Sequence, residues 1–144
     1  MIGIQPFKKH IAKYTPLFEE RGFSLLTEDE YDVEFTDGEV YATFHVERYS
    51  DALEVWIEYL SDDAPDAEYR LDIIMQVYLK KDLTAAFSAE TEEEKEKLVK
   101  TYIEFIVEHK DELFKETFPL AREYDEFQQR KSREFFENFE KQQK

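Results

Sequence analysis

Two stretches of strict alternation stand in the first half of the chain. Tyr31, Val33 and Phe35 alternate with Asp32 and Glu34, and after Asp37-Gly38 the residues Val40, Ala42, Phe44 and Val46 alternate with Tyr41, Thr43, His45 and Glu47. A period of two puts each set on one face of a strand, and an Asp-Gly pair between two such runs signals a hairpin. A two-residue turn there predicts Phe35 opposite Val40, Val33 opposite Ala42 and Tyr31 opposite Phe44. A third strand, Leu53 to Leu60, offers Val55, Ile57 and Tyr59 to the same inner face, opposite Val46, Phe44 and Ala42. The expectation is a three-stranded antiparallel meander, apolar on one side only.

Helical spacing takes over on either side. Pro6 suits a first turn, Phe7, Ile11, Tyr14, Leu17 and Phe18 share one face, and Gly22 ends the segment. Thr15-Pro16 interrupts that pattern, predicting a kink or a restart capped by Thr15. Asp62-Asp63-Ala64-Pro65 reads as a loop with Asp66 as the cap that follows it. Residues 66–81 fit a helix with Leu71, Ile74, Met75 and Tyr78 as its stripe, but Ile73, Ile74, Val77 and Tyr78 suit a strand equally well, so both readings stand. Thr91 with Glu94 makes a capping box before a stripe of Leu98, Tyr102, Phe105, Ile106, His109 and Leu113, with Glu93–Lys97 and Glu96–Lys100 pairs on the wet side. Pro119 breaks or kinks this helix, and Leu120, Tyr124, Phe127, Phe135 and Phe139 carry a last stripe nearly to the end. The sum is an α+β domain over residues 1–144: an N-terminal helix, the meander, then two or three C-terminal helices packed on the sheet, with 141–144 a frayed tail. Acids at Asp29 to Glu34 and Glu54 to Glu58 would blunt the two sheet edges.

Composition narrows the function classes. At 144 residues, 42% hydrophobic and 16% aromatic, with 3 Gly and 4 Pro, the chain can build a core. It has no cysteine, which removes disulfides, thiolate metal sites and cysteine nucleophiles and points to the cytoplasm. No uninterrupted apolar run exceeds three residues, and Lys8 and Lys9 lack an apolar stretch behind them, so neither a spanning helix nor a signal peptide is expected.

Charge changes the picture most. The net formal charge is −16, and it is uneven: residues 1–18 carry three lysines and no acid, residues 19–68 carry 17 acids against Arg21 and Arg48, and residues 69–144 are a nearly balanced mixture. A field of this sign repels nucleic-acid backbones and anionic lipid, and speeds encounter with a basic protein. The acidic segment is thus either a solubility coat or a docking surface.

The predicted registers lay out the outer sheet face in rows: Glu30, His45 and Trp56; Asp32, Thr43 and Glu58; Glu34, Tyr41 and Leu60; with Glu47 and Glu54 at one end. Aromatic residues inside a charged rim favour protein binding, giving Trp56, Tyr41, His45, Asp32, Glu34, Glu47, Glu54 and Glu58 as candidate partner-binding residues. The competing reading is that the last helix, whose Phe127, Phe135, Phe136 and Phe139 need cover, lies over this face. His45 with Glu47 and either Glu54 or Glu30 offers metal-ligand chemistry, and a small metal-dependent enzyme using His45 with Glu47, Glu54 or Glu58 is the rival function. No HExxH, HxH or repeated Asp/Glu loop accompanies them, so no metal, cofactor or catalytic residue is assigned. Ser24, Ser50, Ser61, Ser88 and Ser132 have no GxSxG context, and three glycines make no phosphate-binding loop of the common types. His10 and His109 read as structural.

The layout, a small acidic α+β domain with an anionic sheet and no catalytic signature, resembles that of many bacterial immunity and antitoxin proteins. The resemblance implies neutralisation of a basic toxin by covering its active surface; it is one of architecture and charge, and it assigns no residue. The sequence therefore favours a cytoplasmic module that docks a basic partner protein through its anionic sheet face, as a monomer or as a homodimer through the C-terminal helix. An oligomerising scaffold built on that helix is the third reading.

Overall fold

The computed structural model of the chain describes residues 3–48, 50–60, 68–83, 87–115 and 117–142, with side chains to 139. In chain order the elements are α1 (Gln5–Glu20), β1 (Ser24–Glu28), β2 (Asp32–Thr36), β3 (Val40–Val46), β4 (Leu53–Tyr59), β5 (Glu68–Arg70), α2 (Leu71–Leu79), α3 (Glu92–Glu108), α4 (Lys110–Leu113) and α5 (Ala121–Gln142). The strands form one antiparallel sheet in the order β1-β2-β3-β4-β5. The expected α+β class, N-terminal helix, antiparallel meander and C-terminal helices are all present. The sheet has five strands rather than three.

The two extra strands lie at the edges, and each lacks the signal that marked the middle three. In β1 every residue is exposed, and its pairing slips between Leu25 and Thr27, so it has no alternation to read. The short β5 runs directly into α2: Glu68–Arg70 is strand and Leu71–Leu79 is helix, so Ile73, Ile74, Val77 and Tyr78, which suit a strand as well, are helical. The sheet edges are accordingly β1 and β5, while the acids of β2 and β4 lie inside the sheet. The predicted loop at 62–65 and the cap at Asp66 lie outside the described residues.

Faces were predicted correctly, but the register was not. Phe35 pairs with Ala42 and Val33 with Phe44, two residues further along than expected; Ile57 then pairs with Ala42 and Val55 with Phe44, also a shift of two. An even shift keeps every side chain on its face. Its cause is the turn, where Asp37 Oδ1 accepts from the backbone N–H groups of Glu39 (2.9 Å) and Val40 (3.1 Å), and Thr36 Oγ1 accepts from Gly38 N–H (3.0 Å) and donates to the Val40 carbonyl (2.9 Å). These bonds stabilise a four-residue loop over the two-residue one, with Gly38 at φ +92° where other residues are strained.

The inner face buries Val33, Phe35, Val40, Ala42, Phe44, Val46, Leu53, Val55, Ile57 and Tyr59 in one core with apolar residues of α1, α2 and α3. Phe18 of α1 touches Phe35 and Phe44 with ring centroids 4.9 and 6.2 Å apart. The helix α1 ends where Gly22 N–H bonds to the Glu19 carbonyl and Phe23 N–H to the Phe18 carbonyl, with Gly22 at φ +89°. Thr15 is not a cap: α1 runs through Pro16, and the Thr15 hydroxyl donates to the Ile11 carbonyl (2.7 Å). The capping box of Thr91 and Glu94 is formed as expected. Instead of pairing with Lys100, Glu96 reaches across to Lys13 and Tyr14 of α1, and Glu92 meets Lys9 and His10. Of the three lysines of the acid-free N-terminus, Lys9 and Lys13 thus bridge α1 to α3, and Lys8 pairs with Glu28 of β1. The stripe read through to Leu113 is split, α3 ending at Glu108 and α4 continuing to Leu113 before Pro119. Among the described residues no helix is long and apolar enough to cross a membrane.

One buried ion pair ties the hairpin to the helices. Lys110 Nζ lies 2.5 Å from Asp37 Oδ2, with the two side chains only 14% and 4% exposed. Removing one member of such a pair strands the other's charge away from water. Lys110→Met is expected to lower the unfolding free energy by about 3 kcal/mol, measured by urea denaturation with an unchanged slope; a loss below about 0.5 kcal/mol, the range of ordinary surface substitutions, would show that the pair does not hold the turn.

Candidate functional site

The alternation that buries one side of β2, β3 and β4 leaves the other side polar. Because the register is shifted, its rows differ from those expected: Asp32, His45 and Glu54 stand together, then Glu34, Thr43, Trp56 and Arg70, then Thr36, Tyr41, Glu58 and Glu68. All eight predicted site residues lie on this face. Glu30 does not take its expected place beside His45; Asp32 stands there, and Glu30 instead receives Ile4 N–H on its carbonyl (3.0 Å).

A groove of about 410 Å³ opens on this face, lined by Thr27, Asp29, Asp32, Glu34, Thr43, His45, Glu47, Trp56, Glu58 and Glu68. Tyr41 and Glu54 share the face without lining the groove. Trp56 is half-buried, and its indole N–H donates to Glu54 Oε2 (3.0 Å), which holds the ring on the sheet. The Thr43 hydroxyl donates to Glu34 Oε2 (3.0 Å). Arg70, opposite Trp56 in the ladder, is engaged by Asp72 (2.8 Å).

His45 has a carboxylate at each ring nitrogen: Nδ1 is 2.6 Å from Asp32 Oδ1, and Nε2 is 3.0 Å from Glu47 Oε1. A neutral imidazole has one N–H, so only the imidazolium can donate to both. Burial opposes the charged form, but the bonds to Glu47 and Asp32 outweigh it and raise the titration midpoint above 6.5. Asp29 is held below the ordinary carboxylate range by the backbone N–H groups of Tyr31 and Asp32, each 2.9 Å from its Oδ1. Among the described residues, no group of three or more His, Asp and Glu is arranged to hold a metal ion.

Asp29, Glu68 and Thr27 line the groove but were not foreseen. Asp29 was legible as a turn former, since Asp accepts from the backbone two and three residues on. Glu68 and Thr27 sit on the two edge strands and became part of the site only once those strands existed. The last helix leaves the face uncovered. Its first turns dock elsewhere, with Tyr124 against Tyr69 (ring centroids 5.0 Å) and its hydroxyl accepting Arg70 N–H (2.8 Å). Phe135, Phe136 and Phe139 stay exposed, so the competing reading in which they cover this face does not hold. His10 is buried against Glu92, and His109 packs at a tilt against Phe105 and Tyr78, as structural histidines.

No family model matches the chain, no curated protein matches it in sequence, and no solved structure matches its fold.

The geometry predicts that His45 titrates above 6.5, followed by its ring proton resonances, and that Asp32→Asn lowers the midpoint. Since the folded value is raised, the stabilisation is present in full below about 6.5, the unfolded value, and is lost as pH rises through the folded midpoint. The stability of the wild type relative to His45→Asn should therefore shrink between pH 6 and pH 8, by no more than about 1 kcal/mol for so accessible a clamp. A midpoint at or below 6.5 would contradict the clamp.

Proposed function

We propose that the protein is a binding module that docks a basic partner protein through the outer face of its sheet. The observation that carries this reading is a half-buried Trp56 in an open groove whose rim holds Asp29, Asp32, Glu34, Glu47, Glu58 and Glu68. Carboxylates accept the paired N–H groups of arginine and the charge of lysine, and steer a basic surface toward the site. An indole at the centre of the patch supplies apolar contact that charge alone lacks, and central tryptophans carry a large share of binding energy where they occur. Two protein surfaces of opposite sign meet without a dedicated cofactor, and the groove of about 410 Å³ opens on the sheet face. In the immunity or antitoxin variant of this reading, the partner is a basic toxin whose active surface the sheet covers; a toxin gene directly upstream would favour that variant.

The test is retention of basic proteins from the source organism by immobilised protein at low and at moderate salt, followed by affinity measurement with the retained species. Wild type is expected to bind with an affinity that falls as salt rises. Trp56→Ala combined with Glu58→Lys, shown by circular dichroism to be folded, is expected to lose at least about 2 kcal/mol of binding, or roughly 30-fold. Binding should also strengthen as pH rises through the His45 midpoint, because the face then loses a positive charge. Retention that ignores salt, pH and both substitutions would make the acidic face a solubility coat.

A further inference from the structure

One edge of the sheet is open beside the acidic groove. β1 stands first in the strand order, with β2 on one side and, among the described residues, no strand on the other. All five of its residues are exposed, Leu25 and Leu26 by 52% and 48%. A paired strand turns the N–H and C=O groups of alternate residues toward its neighbour and the rest away, so the free side of β1 presents a short row of backbone donors and acceptors. Proteins close such edges with lysine, proline or a covering element. β1 contains neither residue, and its one charge, Glu28, is paired with Lys8 of α1 (3.2 Å). The bulge between Leu25 and Thr27 bends this edge without covering it.

We infer that β1 takes an extended segment of the basic partner as a sixth strand, with basic side chains over the acidic face and apolar ones on the helix side. The inference rests on the docking reading above and names the part of the partner that is held. The pairing of β1 sets the two sides. Ser24 and Thr27 stand beside Thr36 and Glu34, on the acidic side, whereas Leu25 and Glu28 stand beside Phe35 and Val33, on the side of α1. Thr27 lines the groove, and Asp29, just past the end of β1, lines it too. A strand laid about 4.8 Å from β1 sets alternate side chains toward Asp29 and Glu34, where lysine or arginine is complementary, and the others beside Leu25, where an apolar residue is. Main-chain bonds hold such a segment, and the alternation of its side chains selects it.

A second copy of the chain suits this edge poorly. Two β1 strands paired antiparallel about a two-fold axis continue one sheet, so both acidic faces lie side by side on one surface of an assembly whose chains each carry a charge of −16. A basic segment relieves that field instead of doubling it. The strand is five residues long, so the contact is short and weak by itself.

The probe is a blocked peptide of about seven residues alternating lysine and valine, long enough to span β1. Its binding to the full chain is followed by titration at low and at moderate salt and by amide hydrogen exchange. At saturation, the β1 amides that do not bond to β2 are expected to exchange at least about tenfold more slowly, since each becomes a ladder donor. The same peptide methylated on every backbone nitrogen keeps its charge and side chains but can donate from neither edge, and should bind at least about tenfold more weakly. A methylated peptide that binds as well as its parent, β1 amides left unprotected, or no binding of either peptide up to about 10 mM would overturn the pairing at β1. If binding without β1 protection is abolished by Trp56→Ala with Glu58→Lys, the docking face stands and only the edge is lost. Protection of β1 with binding that ignores salt would overturn the basic character of the segment. Protection already present in the free chain, at twice the mass of 17.4 kDa, would give the edge to a second copy and overturn the inference.

Discussion

One-sided burial of the sheet is the constraint from which the rest follows. Val33, Phe35, Ala42, Phe44, Val55 and Ile57 occupy alternate positions on β2, β3 and β4, and none is more than 4% exposed. Burying them requires the apolar faces of α1, α2 and α3, which complete the same core, and the same alternation sends Asp32, Glu34, His45, Glu54, Trp56 and Glu58 to the other side. The acidic face is therefore not an independent feature that the fold happens to tolerate. Any register that buries the apolar set also displays the acidic one, and because the strands can shift only by an even number of residues, every permissible register presents the same residue types outward.

How far the sequence revealed this depends on which signal each element carried. Alternation disclosed the faces of the three central strands, and the capping box placed the start of α3. Register lay in the turn, where a Thr36 hydroxyl and an Asp37 carboxylate stabilise a four-residue loop that a two-residue Asp-Gly rule does not anticipate. The consequence for the site was local: Asp32 rather than Glu30 faces His45, and Glu58 stands beside Tyr41 rather than in the row of Asp32. The edge strands had no such signal, since β1 is exposed on both faces and β5 is three residues long. The last helix misled for a different reason. A stripe of phenylalanines signals burial against something, and periodicity does not say whether the something belongs to the same chain.

Charge pairing explains why the acidic excess gathers where it does. The lysines of α1 are engaged by Glu92, Glu96 and Glu28, and Lys110 by Asp37. Those bases neutralise acids on the helix side of the molecule and at the hairpin tip. On the outer face His45 is shared by Asp32 and Glu47, Arg70 is bound to Asp72, and the Lys8 charge acts on Asp29. Like charges this close on one sheet repel, a cost a solubility coat could avoid by dispersing them. Their concentration around an indole is what sets this face apart from a merely hydrophilic one.

Trp56 is the only tryptophan in the chain, so its fluorescence reports on this face alone. Collisional quenching by caesium and by iodide, each scaled to its effect on free N-acetyltryptophanamide, measures both the openness of the groove and the sign of its field. An open anionic face predicts efficient quenching by caesium, poor quenching by iodide, and convergence of the two as sodium chloride screens the carboxylates. A tryptophan that neither ion reaches, or that both quench equally at low salt, would contradict an exposed acidic docking surface.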